Sequence, residues 1–246
     1  ERFINELNGN NTLIAEYLTD EVLQQLSNEE RTFLLQTSVL TKLNSSLCEQ
    51  ITGITNSNEI LMKISKANLF LLSIDDKGLW YRYHQLFRDL LFNRLQNNYP
   101  EKVICLHKEA SLWYEKNNLL DDAIYHSLES DDFDQIGFLI NKNGLSLLLR
   151  GDINNLKRLI SLLPENILKK YPYVCICLGW IDCLTNQLEE VGKYIGFAEK
   201  ILEKADKFDK VTTTEVNLHI ELLKVYYYSL YHKGSHEYFS HCIELL

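Results

Sequence analysis

Turn-forming residues are scarce in this sequence. It has 246 residues, of which only 10 are Gly and 3 are Pro. All-β sandwiches and low-complexity linkers need many more turn formers, so both classes are excluded. Hydrophobic residues make up 46% of the chain, which is ample for a buried core. We therefore predict a mainly α protein with long helices and short loops.

Long apolar runs and positive charge are also lacking. No apolar stretch approaches the roughly 20 residues that span a bilayer, and no signal peptide precedes the first helical pattern. Lys and Arg number 25 against 34 Asp and Glu, so the net charge of −9 should repel a phosphate backbone. We predict a cytoplasmic protein, with no membrane partner and no direct nucleic-acid binding by this segment. A start without Met and a stop inside an apolar pattern at Leu246 predict a fragment.

Catalytic and metal-binding patterns are missing as well. Cys175 and Cys177 would point about 200° apart on a helix, so they cannot share a metal ion. His236 and His241 are five residues apart, not the four of the zinc-protease signature. The sequence contains no phosphate loop and no defensible grouping of nucleophile, base and oxyanion donors. We predict that this chain is not an enzyme and holds no metal or cofactor.

What the sequence does contain, before residue 68, is a series of helical patterns. An apolar stripe ends at Leu26, and Ser27 follows as the N-cap of the next helix. A further short helix is predicted over Ser45–Thr52, capped by Ser45 or Ser46 and ended by Gly53. Another is predicted from about Asn58 to Ala67.

Two short strand-like runs come next, residues 69–74 and 79–83, around a turn that contains Gly78. A helix from His84 to about Gln96 follows them. Three helices, a two-stranded hairpin and another helix are the element order of a winged helix, with the hairpin as the wing.

From residue 100 onward every pattern is helical. One apolar stripe consists of Val103, Leu106, His107, Ala110, Trp113 and Tyr114. Residues 151–156 align with residues 186–191 at an offset of 35, close to the roughly 34-residue tetratricopeptide period. We therefore predict an α-α superhelix of degenerate tetratricopeptide-like helical hairpins.

Several short segments of the sequence resemble those of a known family. They are IAEYLTDEVL (14–23), FLLQTSVL (33–40), LCE (47–49), ANLFL (67–71), WYRYHQLF (80–87) and ASLWY (110–114). Together, and in this order, they resemble the MalT-like, LuxR-family large ATP-dependent transcriptional regulators of the signal-transducing ATPase class. The resemblance covers about residues 10–165.

The resemblance implies a domain order. Residues 1–26 would end the helical region linked to the preceding ATPase domain, residues 27–99 would form the winged-helix domain, and residues 100–246 would begin the helical sensor. ATP or ADP would bind only in the full-length protein, in the upstream nucleotide-binding domain. A downstream helix-turn-helix would bind DNA. The other partner implied is a small-molecule or protein inducer, with self-association of the full-length protein on activation.

His84 is the candidate site residue that the resemblance singles out. The run from Tyr83 to Phe87 looks like the winged-helix histidine motif of these ATPases, in which the imidazole faces the β-phosphate of ADP. An imidazole can donate a hydrogen bond to phosphate, and helix N-termini favour anions. The alternative interpretation is that His84 only caps the following helix or packs beside Trp80.

A concentration of aromatic residues near the end of the chain is a second candidate site. Tyr227, Tyr228 and Tyr231 follow each other at helical spacing, and aromatic faces suit a ligand on the inner surface of a superhelix. Packing between repeats is the competing interpretation. The function predicted overall is a segment that couples nucleotide state to inducer binding. The alternative is a tetratricopeptide-like protein-binding scaffold with no nucleotide-linked role.

Overall fold

The computed structural model describes residues 23–67, 70–75, 77–203 and 210–231, the last range with side chains for 213–230. The chain forms two compact units, Glu1–Asp131 and Asp132–Leu246. The domain boundaries predicted at residues 26 and 99 stay predictions, and the first compact unit continues past residue 99 to Asp131.

The first unit has the predicted element order. Its described elements are α1 (Asn28–Thr37), α2 (Ser45–Thr52), α3 (Ser57–Lys66), β1 (Leu71–Ser73), β2 (Tyr81–Tyr83), α4 (Gln85–Asn98), α5 (Pro100–Lys116) and α6 (Leu120–Glu129). Three helices therefore precede a hairpin, and a helix follows it.

The helix ends show which capping residues were predicted correctly from the sequence. Ser27 and Glu30 form a capping box, in which each side chain accepts a hydrogen bond from the other residue's backbone N–H. Gly53 ends α2 in the left-handed conformation, with φ of 72°. The predicted cap of α2 was wrong. Asn44 holds the extended N-cap backbone and accepts from the Leu47 N–H, so Ser45 and Ser46 lie inside the helix.

The wing is fixed to the helices by its second strand. β1 and β2 pair antiparallel, with Leu71 opposite Tyr83. On the other side of β2, Tyr81 and Leu43 exchange two backbone hydrogen bonds of 2.8 Å. The buried Tyr83 hydroxyl also lies 2.6 Å from Thr37 Oγ1 of α1. The strand that leads to His84 is therefore held along both edges.

α5 and α6 form a helical hairpin beside these elements. All six residues of the predicted stripe on α5 are buried, and the Trp113 indole N–H donates to Ser46 Oγ of α2 at 3.0 Å. Inside the hairpin, His107 Nδ1 lies 2.9 Å from His126 Nδ1, and both side chains are almost fully buried. Among the described residues, His107 Nε2 has no hydrogen-bond partner.

The second unit consists of α7 (Phe133–Leu149), α8 (Ile153–Ser161), α9 (Glu165–Leu168), α10 (Pro172–Leu184), α11 (Val191–Glu203) and α12 (Lys210–Tyr231). α10 is its central helix, because nearly every residue from Val174 to Cys183 is buried. Pro172 occupies its first turn, as Pro does at helix starts. None of the helices in the described ranges is both long and apolar enough to cross a membrane.

Three helix ends have the same backbone geometry. Asn118, Gly151 and Asn186 each have positive φ, and the N–H of the residue after each donates to the carbonyl five positions earlier. This is the Schellman turn. The turns are 33 and 35 residues apart, so the offset of 35 in the sequence marks two equivalent helix ends. The helical-hairpin pattern predicted from the sequence is confirmed.

Candidate functional site

His84 lies where β2 passes into α4. It occupies the N-cap position, with φ of −57° and ψ of 132°. Its N–H donates to the Phe70 carbonyl at 2.7 Å, and its own carbonyl accepts from the Arg88 N–H at 3.0 Å. The backbone is therefore held by the wing on one side and by α4 on the other. The imidazole makes no capping hydrogen bond, although the residue stands where a cap would.

Alternating burial turns the His84 side chain outward. Tyr81 and Tyr83 are buried, whereas Arg82 and His84 are exposed, because successive side chains of an extended strand point to opposite faces. The His84 ring meets the edge of the Phe70 ring, with centroids 6.4 Å apart. The ring that His84 packs against is therefore Phe70 and not the predicted Trp80, whose ring meets Trp113.

Arg82 is the residue that the sequence reasoning missed. It shares the exposed face with His84, two positions earlier, and no hydrogen bond or ion pair holds its guanidinium in the described parts of the chain. The signal was present in the alternation of Tyr81, Arg82, Tyr83 and His84, which places Arg82 and His84 on the same face of the strand. A guanidinium and an imidazole beside a helix N-terminus form a local set of hydrogen-bond donors that suit an anion, on an otherwise acidic protein.

An aromatic base supports this face. The Phe70 and Phe87 rings stack with centroids 5.1 Å apart, and the Tyr83 ring meets Phe87 at 5.9 Å. Phe87 and Tyr83 are buried. The exposed His84 therefore lies beside packed aromatic rings at the junction of the wing and α4.

The candidate tyrosines of α12 belong to the second unit. Tyr227 packs against the buried cluster of α10, α11 and α12, and its ring centroid is 5.2 Å from that of Tyr228. The side chain of Tyr231 lies outside the described residues. Packing therefore accounts for part of the surface of Tyr227, and ligand contact by Tyr227, Tyr228 and Tyr231 stays a prediction.

The first compact unit has the architecture of a winged-helix domain followed by a helical hairpin. Comparison with known families agrees, since residues 19–103 match the MalT winged helix domain. This segment is therefore similar to the MalT winged helix domain, and the chain is MalT-like. The fold predicted from the sequence is confirmed.

Individual relatives extend the similarity into the helical repeats. The transcriptional regulator MalT of Vibrio parahaemolyticus is 25% identical over 212 residues, which cover 86% of this chain and 23% of that protein. The MalT of Klebsiella pneumoniae is 28% identical over 187 residues, 76% of this chain and 21% of the relative. The serine/threonine-protein kinase PknK of Mycobacterium tuberculosis is 30% identical over 178 residues, 72% of this chain and 16% of the kinase. The chain thus spans less than a quarter of each of these relatives.

Proposed function

We propose that this chain is the regulatory segment of an inducer-responsive, ATP-dependent transcriptional activator of the cytoplasm. In this proposal it couples the nucleotide state of an upstream domain to inducer binding by the helical repeats. The observation that carries the proposal is the exposed His84 at the N-terminus of α4, inside a MalT-type winged helix. The chain itself would perform no chemistry.

The nucleotide contact is proposed for the full-length protein only. ADP would supply a phosphate anion, and the residues present fit one, because His84, Arg82 and the first N–H groups of α4 lie on a single exposed stretch. His84 would donate a hydrogen bond to the β-phosphate, and Arg82 would add charge. Loss of these hydrogen bonds on nucleotide exchange would release the wing from the upstream domain.

The other partners follow from the same proposal. An inducer, either a small molecule or a protein, would bind the helical repeats, where Tyr227, Tyr228 and Tyr231 are the candidate contacts. Self-association of the full-length protein would accompany activation. A helix-turn-helix beyond this segment would bind the promoter.

A second candidate function is regulation of a protein kinase. It is favoured by the 30% identity to PknK, which is named as a serine/threonine-protein kinase, whereas MalT is named as a transcriptional regulator. A segment that relays a signal can occur both in a transcriptional regulator and in a kinase, since DNA binding or phosphorylation is then performed by another domain. The domains encoded upstream and downstream in the complete gene distinguish the two candidates.

Replacing His84 with Ala in the full-length protein should speed ADP release. A hydrogen bond to a charged group contributes about 1.5–3 kcal/mol, so we expect the dissociation rate to rise roughly ten- to a hundredfold. Displacement of a fluorescent ADP analogue in a stopped-flow instrument measures this rate. Transcription without inducer should rise in parallel.

Two further variants make the test specific. His84→Gln keeps an N–H donor and should retain part of the ADP affinity. Lys77→Ala alters an exposed residue in the turn of the wing and should leave ADP release unchanged. An ADP dissociation rate that is the same in His84→Ala and the parent protein would refute the nucleotide role.

A further inference from the structure

A cavity of about 270 Å³ lies in the first unit, beside the turn of the wing. Three charged side chains, two aromatic rings and two aliphatic side chains line it: Lys42, Ile74, Asp75, Trp80, Tyr114, Leu119 and Asp122. Neither His84 nor Arg82 contributes. Pockets for small molecules usually measure roughly 300–1,000 Å³, and this volume lies just below that range, so only a small ligand would fit.

The wing side of the cavity is rigid. Asp75 Oδ1 accepts hydrogen bonds from the backbone N–H groups of Leu79 and Trp80, at 2.9 and 3.0 Å. Its second oxygen accepts none from the residues that the structure describes. The Trp80 ring meets the Trp113 ring edge-on, with centroids 6.4 Å apart. A negative charge and an aromatic surface are therefore both in place before any ligand arrives.

Tyr114 lines the same space. Its side chain is only 2% exposed, and its ring stacks on His126. Within the described part of the chain its hydroxyl has no hydrogen-bond partner. Burial, and then the negative charge of Asp122, raises the pKa of Tyr114, so the hydroxyl stays protonated and can donate. The hydroxyl is therefore free to donate a hydrogen bond to a ligand atom in the cavity.

The charges around the cavity are of both signs and are not neutralised locally. Neither Lys42 nor Asp122 forms an ion pair with another described residue. A simple amine would pair only with the two aspartates, and a simple carboxylic acid would pair only with the exposed Lys42. The complement of this lining is a molecule that carries both charges.

We propose that the cavity is a binding site for a small zwitterion with α-amino acid chemistry. Its carboxylate pairs with Lys42, its ammonium group pairs with Asp122 and the second oxygen of Asp75, and its side chain packs against Trp80 and Leu119. The Tyr114 hydroxyl donates to the ligand carboxylate. Such a ligand joins the turn of the wing to the α5–α6 hairpin, and this role is independent of the nucleotide contact proposed for His84.

Isothermal titration calorimetry on the 246-residue chain at neutral pH tests the site. The standard amino acids are titrated singly, and the tightest binder is compared with the amine and the carboxylic acid that share its side chain. We expect the zwitterion to bind at least about tenfold more tightly than either, because each partial ligand leaves a charge unpaired.

Variants locate the binding in the cavity. Lys42→Met, Asp122→Asn and Tyr114→Phe should each weaken it, the first two by about tenfold or more. Asp121→Asn removes the neighbouring, exposed carboxylate of α6 and should change nothing. No binding by any amino acid at millimolar concentration, equal binding of the matching amine or acid, or binding that is unaltered in Lys42→Met and Asp122→Asn would each overturn the proposal.

Discussion

Acidification from pH 7 to pH 5 should cost the first compact unit about 2–4 kcal/mol of unfolding free energy. Burial lowers the pKa of His107 from 6.5 to about 4. Burial, and secondly the proximity of His107, lowers the pKa of His126 to about 3. Both rings are thus neutral in the folded chain, where one Nδ1 donates to the other.

The sign of the effect follows from proton uptake. Below pH 6.5 an unfolded chain protonates both imidazoles, whereas the folded chain resists this until about pH 4. Protons therefore stabilise the unfolded state, and stability is lost as the pH falls from 6.5 towards 4. Each pH unit in this window costs as much as about 1.4 kcal/mol for each histidine. That is a large share of the roughly 5–15 kcal/mol that stabilises most domains.

Urea unfolding at pH 7 and pH 5 measures this loss. Trp80 and Trp113 lie in the first unit and Trp180 in the second, so a Trp180→Phe background makes tryptophan fluorescence report the first unit alone. The double variant His107→Leu/His126→Leu should lose most of the pH dependence, whereas His84→Gln, which changes an exposed histidine, should keep it. An equal loss of stability in the double variant and its parent would show that other groups cause the effect.

Two glycine-to-alanine changes in the second unit should act in opposite directions. At Gly137 of α7, a Cβ atom would lie 2.6 Å from a methyl carbon of Ile167 and 2.8 Å from two ring carbons of Tyr171. Overpacking of this kind costs typically 1–3 kcal/mol, which exceeds the roughly 1 kcal/mol that Ala gains over Gly in a helix. Gly137→Ala should therefore destabilise the unit.

Gly196 of α11 is the matched control, since a Cβ there would meet no atom within 4 Å. Only the helix propensity acts, so Gly196→Ala should stabilise the unit by about 0.5–1 kcal/mol. Urea unfolding of both variants, followed by Trp180 fluorescence in a Trp80→Phe/Trp113→Phe background, gives the two differences. A stabilised Gly137→Ala variant would mean that α7 and α9 separate easily.

Features that depend on neighbours in the chain could be predicted from the sequence. Ser27 with Glu30, Gly53, and the hairpin around Gly78 are local signals, because the partners of each hydrogen bond lie within a few residues. The predicted N-cap of α2 was wrong, since Asn44, Ser45 and Ser46 are all good N-cap residues and only the backbone conformation selects one of them. Local chemistry fixed the elements but not every end.

Features that join distant segments were not predictable. The stripe on α5 included His107, yet nothing in the sequence showed that His126 would meet it. The cavity assembles side chains from residue 42 to residue 122, whose proximity only the folded chain reveals. Arg82 lies in the same sequence segment as His84, but its exposure depends on which face of β2 packs against the helices, and only the folded chain shows this.

The equivalent helix ends at Asn118, Gly151 and Asn186 have a consequence for how such proteins evolve. A segment duplicated or deleted between two of them starts and finishes on one backbone conformation, and Asn and Gly are the residues that adopt positive φ at the lowest cost. Lengthening or shortening the sensor by a whole repeat would need no new loop design. Related proteins can therefore differ in the length of their helical repeat region while they keep the same winged helix.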